Sequence, residues 1–565
     1  MLKNGTAAGV LAIGAVIALG LVAQTVSTEI LGLVTDSSGA VIPAATVKIT
    51  RLATGEVRTT ATNGSGNYVF PVLEIGEYEV TCSASGFKTE VVRSVTIELQ
   101  QQARLDFHLQ VGERAEIVEV TAAGSLLRTE DATMGSVIES RRVVELPLNG
   151  RNFSQLATLM PGVIFGTSRI GVTQQGGVPI PGQTVQIAAE GQRDIQQRAT
   201  IDGVVTTEPR TNTMTYLPSI EAIEEFKVQS AVYSAEYGVN SGAQINVAIK
   251  SGTNNLHGTL FEFVRNDKFD ARGFFLPPTQ TKNKLRRNQY GGVGSGRIKK
   301  DRTFWLVNFE SRRERRATPD AAAVATAAMR GGDFSELLQA GNRWYPSSTA
   351  PVLIGLPGSA PFPGNIIPPS MLNPVSLNLL TSKNKSPYSY GGYLPLPTSD
   401  AQAFAIHSPI NLFGTDPLNV DSNQYLARFD HRFGVNDRVF VHYILVNASA
   451  ASSPLAIAST TLTDNRSQNV GFGWTKILSP SMVNDLRYGY NRTHTEYGGP
   501  LTSNGFDQQA LGLNFLVNGR PLKSNENGLP IIAIGALAHL IPIALAGAAV
   551  VIVGIYRWAY EPFEM

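Results

Sequence analysis

The 565-residue chain has a single cysteine, Cys82. It can close no internal disulfide and build no multi-thiolate metal centre. Charge of one sign is also scarce: 47 Lys and Arg against 45 Asp and Glu leave a net charge of +2. Nucleic-acid binders carry a marked basic surplus, so no nucleic-acid partner is expected. Charged residues make up only 16%, less than the quarter or so usual in soluble domains. The histidines His108, His257, His407, His431, His442, His494 and His539 are scattered, and none sits at metal-ligand spacing with another. The sequence contains neither a Gly-x-Ser-x-Gly elbow nor a phosphate-loop lysine motif. An enzyme is therefore the least expected class, and no cofactor or metal is expected.

Glycine (54) and proline (31) are plentiful and point to many turns. The N-terminus has one early charge, Lys3, then an apolar stretch from Ala7 to Ala23 and polar Gln24-Thr25. Residues 1–27 read as a secretory signal peptide, with a retained anchor as the alternative.

Residues 29–111 read as a small β-sandwich. Val47 and Ile49 alternate with polar neighbours, as do Tyr68 and Phe70, Tyr78 and Val80, and Leu105, Phe107 and Leu109. Turn residues such as Asn63-Gly64-Ser65-Gly66 separate the runs. Cys82 is in phase with Tyr78 and Val80 and is expected in the core. Residues 112–133 read as a linker holding Ile117-Val118-Glu119-Val120-Thr121. That short run suits an edge strand of the sandwich or a strand that pairs with a partner's sheet. Residues 134–250 read as a mixed α/β unit. Helices are expected at Arg141 to Leu146, at Phe153 to Met160, and from Ser219 to Phe226 with Ser219 as N-cap. Gly166 to Thr184 is expected as a loop.

After Gly252 the pattern changes. Tyr425, Ala427, Phe429 and Phe433 alternate with Arg428, Asp430 and Arg432. Beyond Gly434-Val435-Asn436-Asp437, a return strand carries Val439, Val441, Tyr443 and Leu445 on one side. Val470, Phe472 and Trp474, then Leu486, Tyr488 and Tyr490, repeat the theme. Strands of about ten residues with one aromatic-rich face and one charged face are the dyad pattern of an outer-membrane barrel. The glycine run Gly291 to Gly296 precedes a basic β-turn and not a helix, so it reads as a strand lined with small residues rather than a phosphate loop. The basic cluster Arg312, Arg313, Arg315 and Arg316 reads as a solvated rim or a lipid-headgroup contact. Arg315 to Asn419 is expected as one long extracellular loop. The apolar tail, residues 528–565, reads as a possible helix.

Several motifs then resemble known families. Gly32-Leu33-Val34-Thr35-Asp36, Gly66-Asn67-Tyr68-Val69-Phe70-Pro71 and Gly86-Phe87 resemble the carboxypeptidase-regulatory-like domain, a carbohydrate-binding-like sandwich. Leu146-Pro147-Leu148-Asn149-Gly150-Arg151-Asn152-Phe153, Ile201-Asp202-Gly203-Val204, Ser234-Ala235-Glu236-Tyr237-Gly238 and Lys250-Ser251-Gly252-Thr253-Asn254 resemble the plug of Oar-like TonB-dependent receptors. Lys299-Lys300-Asp301-Arg302-Thr303-Phe304-Trp305 is similar to that family's early barrel hairpin.

The resemblance implies a mainly β chain: a β-sandwich, an α/β plug domain and an incomplete antiparallel transmembrane β-barrel over residues 251–527. It implies a plug-gated receptor or transporter in the outer membrane, exported there. The implied partners are outer-membrane lipid, a substrate for which carbohydrate or peptide is a guess, and a TonB-type energy-coupling protein contacting Ile117, Val118, Glu119, Val120 and Thr121. Complete relatives continue well beyond this length, and about seven barrel strands are legible where single-chain barrels need at least eight. A fragment of a longer gene is one alternative. A surface binding or adhesion protein that uses the sandwich without transport is another.

Overall fold

The computed structural model describes residues 28–113, 117–121, 135–146, 148–165, 187–193, 196–207, 214–230, 233, 239–274, 282–345, 348–356, 359–374, 377, 396–398, 410–452, 461–479, 482–498, 516–517 and 520–521. The expected signal peptide, the Gly166 to Thr184 loop, Ser234 to Gly238 and the apolar tail lie outside them. Among the described residues no helix is long and apolar enough to cross a membrane.

The first unit is a two-sheet sandwich. Strands β1 (Glu29–Asp36), β2 (Thr46–Arg51), β3 (Glu56–Ala61), β4 (Asn67–Phe70), β5 (Gly76–Ser83), β6 (Thr89–Ile97), β7 (Gln102–Arg104) and β8 (Phe107–Leu109) build it. One sheet runs β4-β1-β7 with β8 also on β1; the other runs β3-β2-β5-β6 and ends on β9 (Ile117–Thr121). Alternation puts every second residue inside. Ile49, Phe70, Tyr78, Val80, Cys82 and Phe107 accordingly form one buried core. The tight Asn63 turn holds because the Asn63 side chain accepts the Ser65 and Asn67 amides at 3.0 Å.

The second unit is a five-stranded sheet. Strands β10 (Gly135–Glu139), β13 (Arg198–Ile201), β14 (Val204–Val205), β15 (Ile223–Gln229) and β16 (Gln244–Ile249) lie in the order β10-β15-β16-β13-β14. A short hairpin of β11 (Val163–Phe165) and β12 (Ile187–Ala189) stands apart from it. The unit is more β than expected. A helix forms over Ser140–Glu145, but Phe153–Leu159 is a 3₁₀ segment. The helix expected from Ser219 is only a 3₁₀ turn, Ile220–Ala222, and β15 begins at the next residue. Tertiary pairing overrides the local signal. Ile223, Phe226 and Val228 are fully buried, and β15 hydrogen-bonds on both sides, to β10 and β16. The Ser219 hydroxyl bonds to Glu221 at 2.9 Å and makes no helix cap.

The third unit is a seven-stranded antiparallel sheet in strict chain order: β17 (His257–Asn266), β18 (Lys284–Lys299), β19 (Thr303–Ala322), β20 (Leu412–Arg432), β21 (Asp437–Ser452), β22 (Thr461–Ser479) and β23 (Met482–Gly498). Among the described residues the sheet does not close into a barrel. Strands of 16 to 21 residues after β17 far exceed the five or six usual in soluble domains. Short turns join the strands at one end and long connections at the other. The segment expected as a loop from Arg315 to Asn419 is shorter: β19 and β20 pair out to Ala322↔Leu412. The residues between them carry their own small core of Met329, Phe334, Leu337, Ile354 and Ile367. That core, with Asn365 bonded to the Phe334 and Val352 carbonyls, is why so long a connection takes up structure.

The two faces of this sheet are inverted relative to a soluble protein. One face shows Val307, Tyr425, Phe429, Val441, Tyr443, Leu486, Tyr488 and Tyr490 to the outside, all at least 38% exposed. The other buries Gln289, Asn308, His442, Asn469 and Ser467. Water would not tolerate so broad an apolar face on a monomer. Hydrocarbon does, because the antiparallel ladder satisfies the backbone between the paired strands. From Val439 to Leu445 the apolar band rises about 20 Å along the strand.

Candidate functional site

The five-stranded unit, where the resemblance puts the plug, and the long-stranded sheet share one core. Leu306, Leu426, Ile444 and Val446 of the long strands pack in the same cluster as Ile201, Phe226, Ile245 and Val247 of the five-stranded unit. Two polar clasps fix that packing.

The first clasp starts at a two-residue hairpin loop, Asp202-Gly203, between β13 and β14. Both residues have positive φ, 50° and 78°, as a type I′ turn demands, and Asp-Gly is a favoured pair there. The turn leaves the Asp202 carboxylate facing the sheet. It lies 3.0 Å from Arg428 on β20 and 2.8 Å from Nδ1 of His442 on β21, and it accepts the Ile249 amide at 3.0 Å. Arg428 also pairs with Asp430 at 2.8 Å, donates to the Ile249 carbonyl at 2.9 Å and sits over the Phe440 ring. The other His442 nitrogen is 2.7 Å from Asn469 on β22. Burial pushes the Asp202 carboxyl up, but Arg428 and the His442 hydrogen bond outweigh it and hold it at about 2.

The second clasp uses the Leu-Pro-Leu-Asn-Gly-Arg motif. Arg151 pairs with buried Glu221 and stacks on Phe261 and Phe263 of β17 at 4.5 and 4.2 Å. The Asn149 side-chain oxygen accepts from Arg265 and Arg287, both at 3.0 Å.

The sandwich is tied to both partners at the short-turn end. Glu74 pairs with Arg51 of its own unit and, at 3.4 Å, with Arg438 of β21. Burial raises Glu74, yet Arg51 and Arg438 hold it at about 2. The Asn254 amide donates to the Ala53 carbonyl at 3.1 Å, and its side chain to Asp301 in the first short turn at 2.7 Å. On β15 of the five-stranded unit, Glu225 accepts the Leu99 amide at 2.8 Å, and Lys227 donates to the Gln100 carbonyl at 3.1 Å. Burial, with the nearby carboxylates Glu98, Glu224 and Glu139, pushes Glu225 up to about 8 against the pull of that amide.

The segment Ile117–Thr121 forms β9, which pairs in parallel with β6 from Thr89↔Ile117 to Arg93↔Thr121. It is the last strand of its sheet. Its position is that of an edge strand of the sandwich, one of the two arrangements the sequence allows. Cys82 is buried in the core, where burial pushes its thiol up to about 12. The arginine cluster is not one patch, because strand alternation divides it. Arg313 and Arg315 face outward with Asp421, at 3.7 and 2.8 Å. Arg312 faces inward and shares Glu314 with Arg287, each at 2.6 Å. Among the described residues no group of three or more potential ligands could hold a metal ion.

The motif Ile201-Asp202-Gly203-Val204 and the polar face of Arg428 and Asp430 are each legible in the sequence, but nothing there joins them. His442 looked like one more scattered histidine. Its signal was a lone ionisable residue amid apolar Phe440, Ile444 and Val446 on the same strand face.

Residues 248–546 match the outer membrane beta barrel domain, and residues 29–110 match the carboxypeptidase regulatory-like domain. The chain belongs to the outer membrane β-barrel domain family. That family places it in the outer membrane, in agreement with the inverted faces of its sheet. It is 27% identical over 319 residues to the TonB-dependent transporter Oar of Myxococcus xanthus, matching 52% of this chain and 28% of that protein. The chain thus spans little more than a quarter of the curated relative's length. Among solved structures it is similar to the outer membrane transporter YddB from Escherichia coli, with 10% identity, a TM-score of 0.40, and coverage of 65% of this chain and 40% of that one. The siderophore receptor PirA from Acinetobacter baumannii is also similar, at 13% identity and TM-score 0.31, covering 64% and 44%.

Proposed function

We propose that this outer-membrane β-barrel chain acts as a TonB-dependent receptor-transporter. A substrate lodges at the long-connection end of the sheet, and release of the plug at the short-turn end lets it through. The observation that carries the reading is the plug seated on the inner face of the long strands and held there by polar clasps, Asp202 with Arg428 above all. An element meant only to fill space would need apolar packing alone. Hydrogen-bonded charge pairs give a single seated position and a defined set of contacts to break.

Ile117–Thr121 is the candidate coupling strand. It precedes the plug in the chain and ends its sheet, so a TonB-type protein can pair with it by β-augmentation. Short turns face the periplasm and long connections the exterior in barrels of this class, which puts β9 and the sandwich on the side where such a partner works. The substrate, with carbohydrate or peptide as the working classes, meets plug and extracellular loops.

Deletion of residues 116–122 tests this. Expected is loss of capture by the periplasmic domain of a TonB-type protein and loss of energy-dependent uptake, with ligand binding to whole cells retained. Unchanged capture and uptake would instead favour a surface binding protein that uses the sandwich without transport.

A further inference from the structure

The inner face of the sheet is electrostatically lopsided at its long-connection end. Arg265 on β17, Arg287 on β18 and Arg312 on β19 lie on adjacent strands. Arg265 and Arg287 converge on the side-chain oxygen of plug residue Asn149. Arg287 and Arg312 converge on Glu314, which is only 3% exposed. Among the described residues the other carboxylate paired with this group is Asp270, 3.3 Å from Arg265. Arg316, next along the inner face of β19, is exposed.

We propose that this guanidinium cluster is a binding site for an anionic group of the transported substrate, a carboxylate or a phosphate, at the outer mouth beside the plug apex. The inference rests on the receptor reading above and names the chemistry of its ligand. Glu314 and Asp270 together balance two guanidiniums. The site has three, and like charges on neighbouring strands repel. An incoming anion relieves that repulsion. Arg265 is 45% exposed and Arg312 is 32% exposed, so both can reach a ligand while Arg287, at 13%, stays anchored. Planar guanidinium forks suit two-oxygen anions. Because Arg265 also grips Asn149, an anion that draws it away loosens the plug's contact with the wall. Occupancy is thereby sensed by the plug.

The test measures binding of labelled hexaglutamate, tripolyphosphate and neutral hexaglutamine to the full chain in outer-membrane vesicles, with no energy-coupling protein present. Either anion should bind at least about tenfold more tightly than hexaglutamine, and which of the two is tighter distinguishes carboxylate from phosphate. The Arg265→Gln/Arg312→Gln double variant should lose most of that preference. Arg312→Lys, which keeps the charge but not the fork, should lose part of it. The preference of the parent should also fall as salt rises. Anions that bind no better than hexaglutamine overturn the proposal, as does a double variant that keeps the parent's preference. If the double variant does not fold, Arg312→Lys and the salt series decide. The assay contains no uptake step, so its failure leaves the transport reading standing. Failure of the 116–122 deletion likewise leaves this site untouched.

Discussion

Asp202, at the tip of a plug hairpin, lies 3.0 Å from Arg428 of the fourth long strand, and their side chains are only 6% and 9% exposed. Removing one member of such a pair leaves a charge in a poor dielectric. Asp202→Asn should destabilise the seated plug by about 3 kcal/mol. Hydrogen exchange at the amides of β13 and β14 reads this directly and should accelerate. Exchange no faster than in the parent would mean that the pair does not hold the plug.

The same carboxylate sets an acid limit. Its folded value, about 2, lies below the unfolded value of about 3.9. Its contribution is therefore fully present above pH ~4 and is lost as pH falls toward 2. Plug protection in the parent should decline over that window. In Asp202→Asn this component of the decline should be missing.

Glu225 predicts the opposite slope. Its folded value of about 8 lies above the unfolded value near 4.3. The folded state holds the extra proton between these values, so stability falls as pH rises from about 4.5 to 8. Glu225→Gln keeps an acceptor for the Leu99 amide and removes the ionisation. It should be more stable than the parent by about 4 kcal/mol at pH 8, with the gap closing by pH 4. Unfolding midpoints measured across that range would show it, and a gap independent of pH would refute it.

Val441 lies in the middle of the outward apolar band and is 40% exposed. Val441→Arg should cost about 2–4 kcal/mol in a bilayer. Val435→Arg, in the turn beyond the band, should change stability by less than about 0.5 kcal/mol. Equal effects at the two positions in lipid vesicles would deny that the band faces hydrocarbon.

Cys82 is fully buried, and its thiol is pushed up to about 12. At pH 8 a maleimide should label the folded chain at a small fraction of the rate seen in denaturant. Rapid labelling of folded protein would place Cys82 outside the sandwich core.

Alternation along the chain made much of this architecture legible. Sandwich strands and long two-faced strands both announce themselves locally, since side chains at i and i+2 share a face whatever lies beyond. The short turns at Lys299-Lys300-Asp301 and Gly434 to Asp437 were equally readable, because turn chemistry is local. The supposed helix after Ser219 failed for a complementary reason. Ser219 as N-cap was a helix signal, but burial between β10 and β16 decided in favour of a strand.

Pattern alone thus determined that one face of the long strands is apolar and the other polar, because that is a property of neighbours in sequence. Only the tertiary structure decided which polar residues meet. Asp202 and His442 are 240 positions apart and touch at 2.8 Å. No spacing rule could join them, since the contact exists only once plug and sheet are packed. The same holds for Ile117–Thr121. Its composition made a strand, but its parallel place beside Thr89–Arg93 depended on which sheet edge the fold left open.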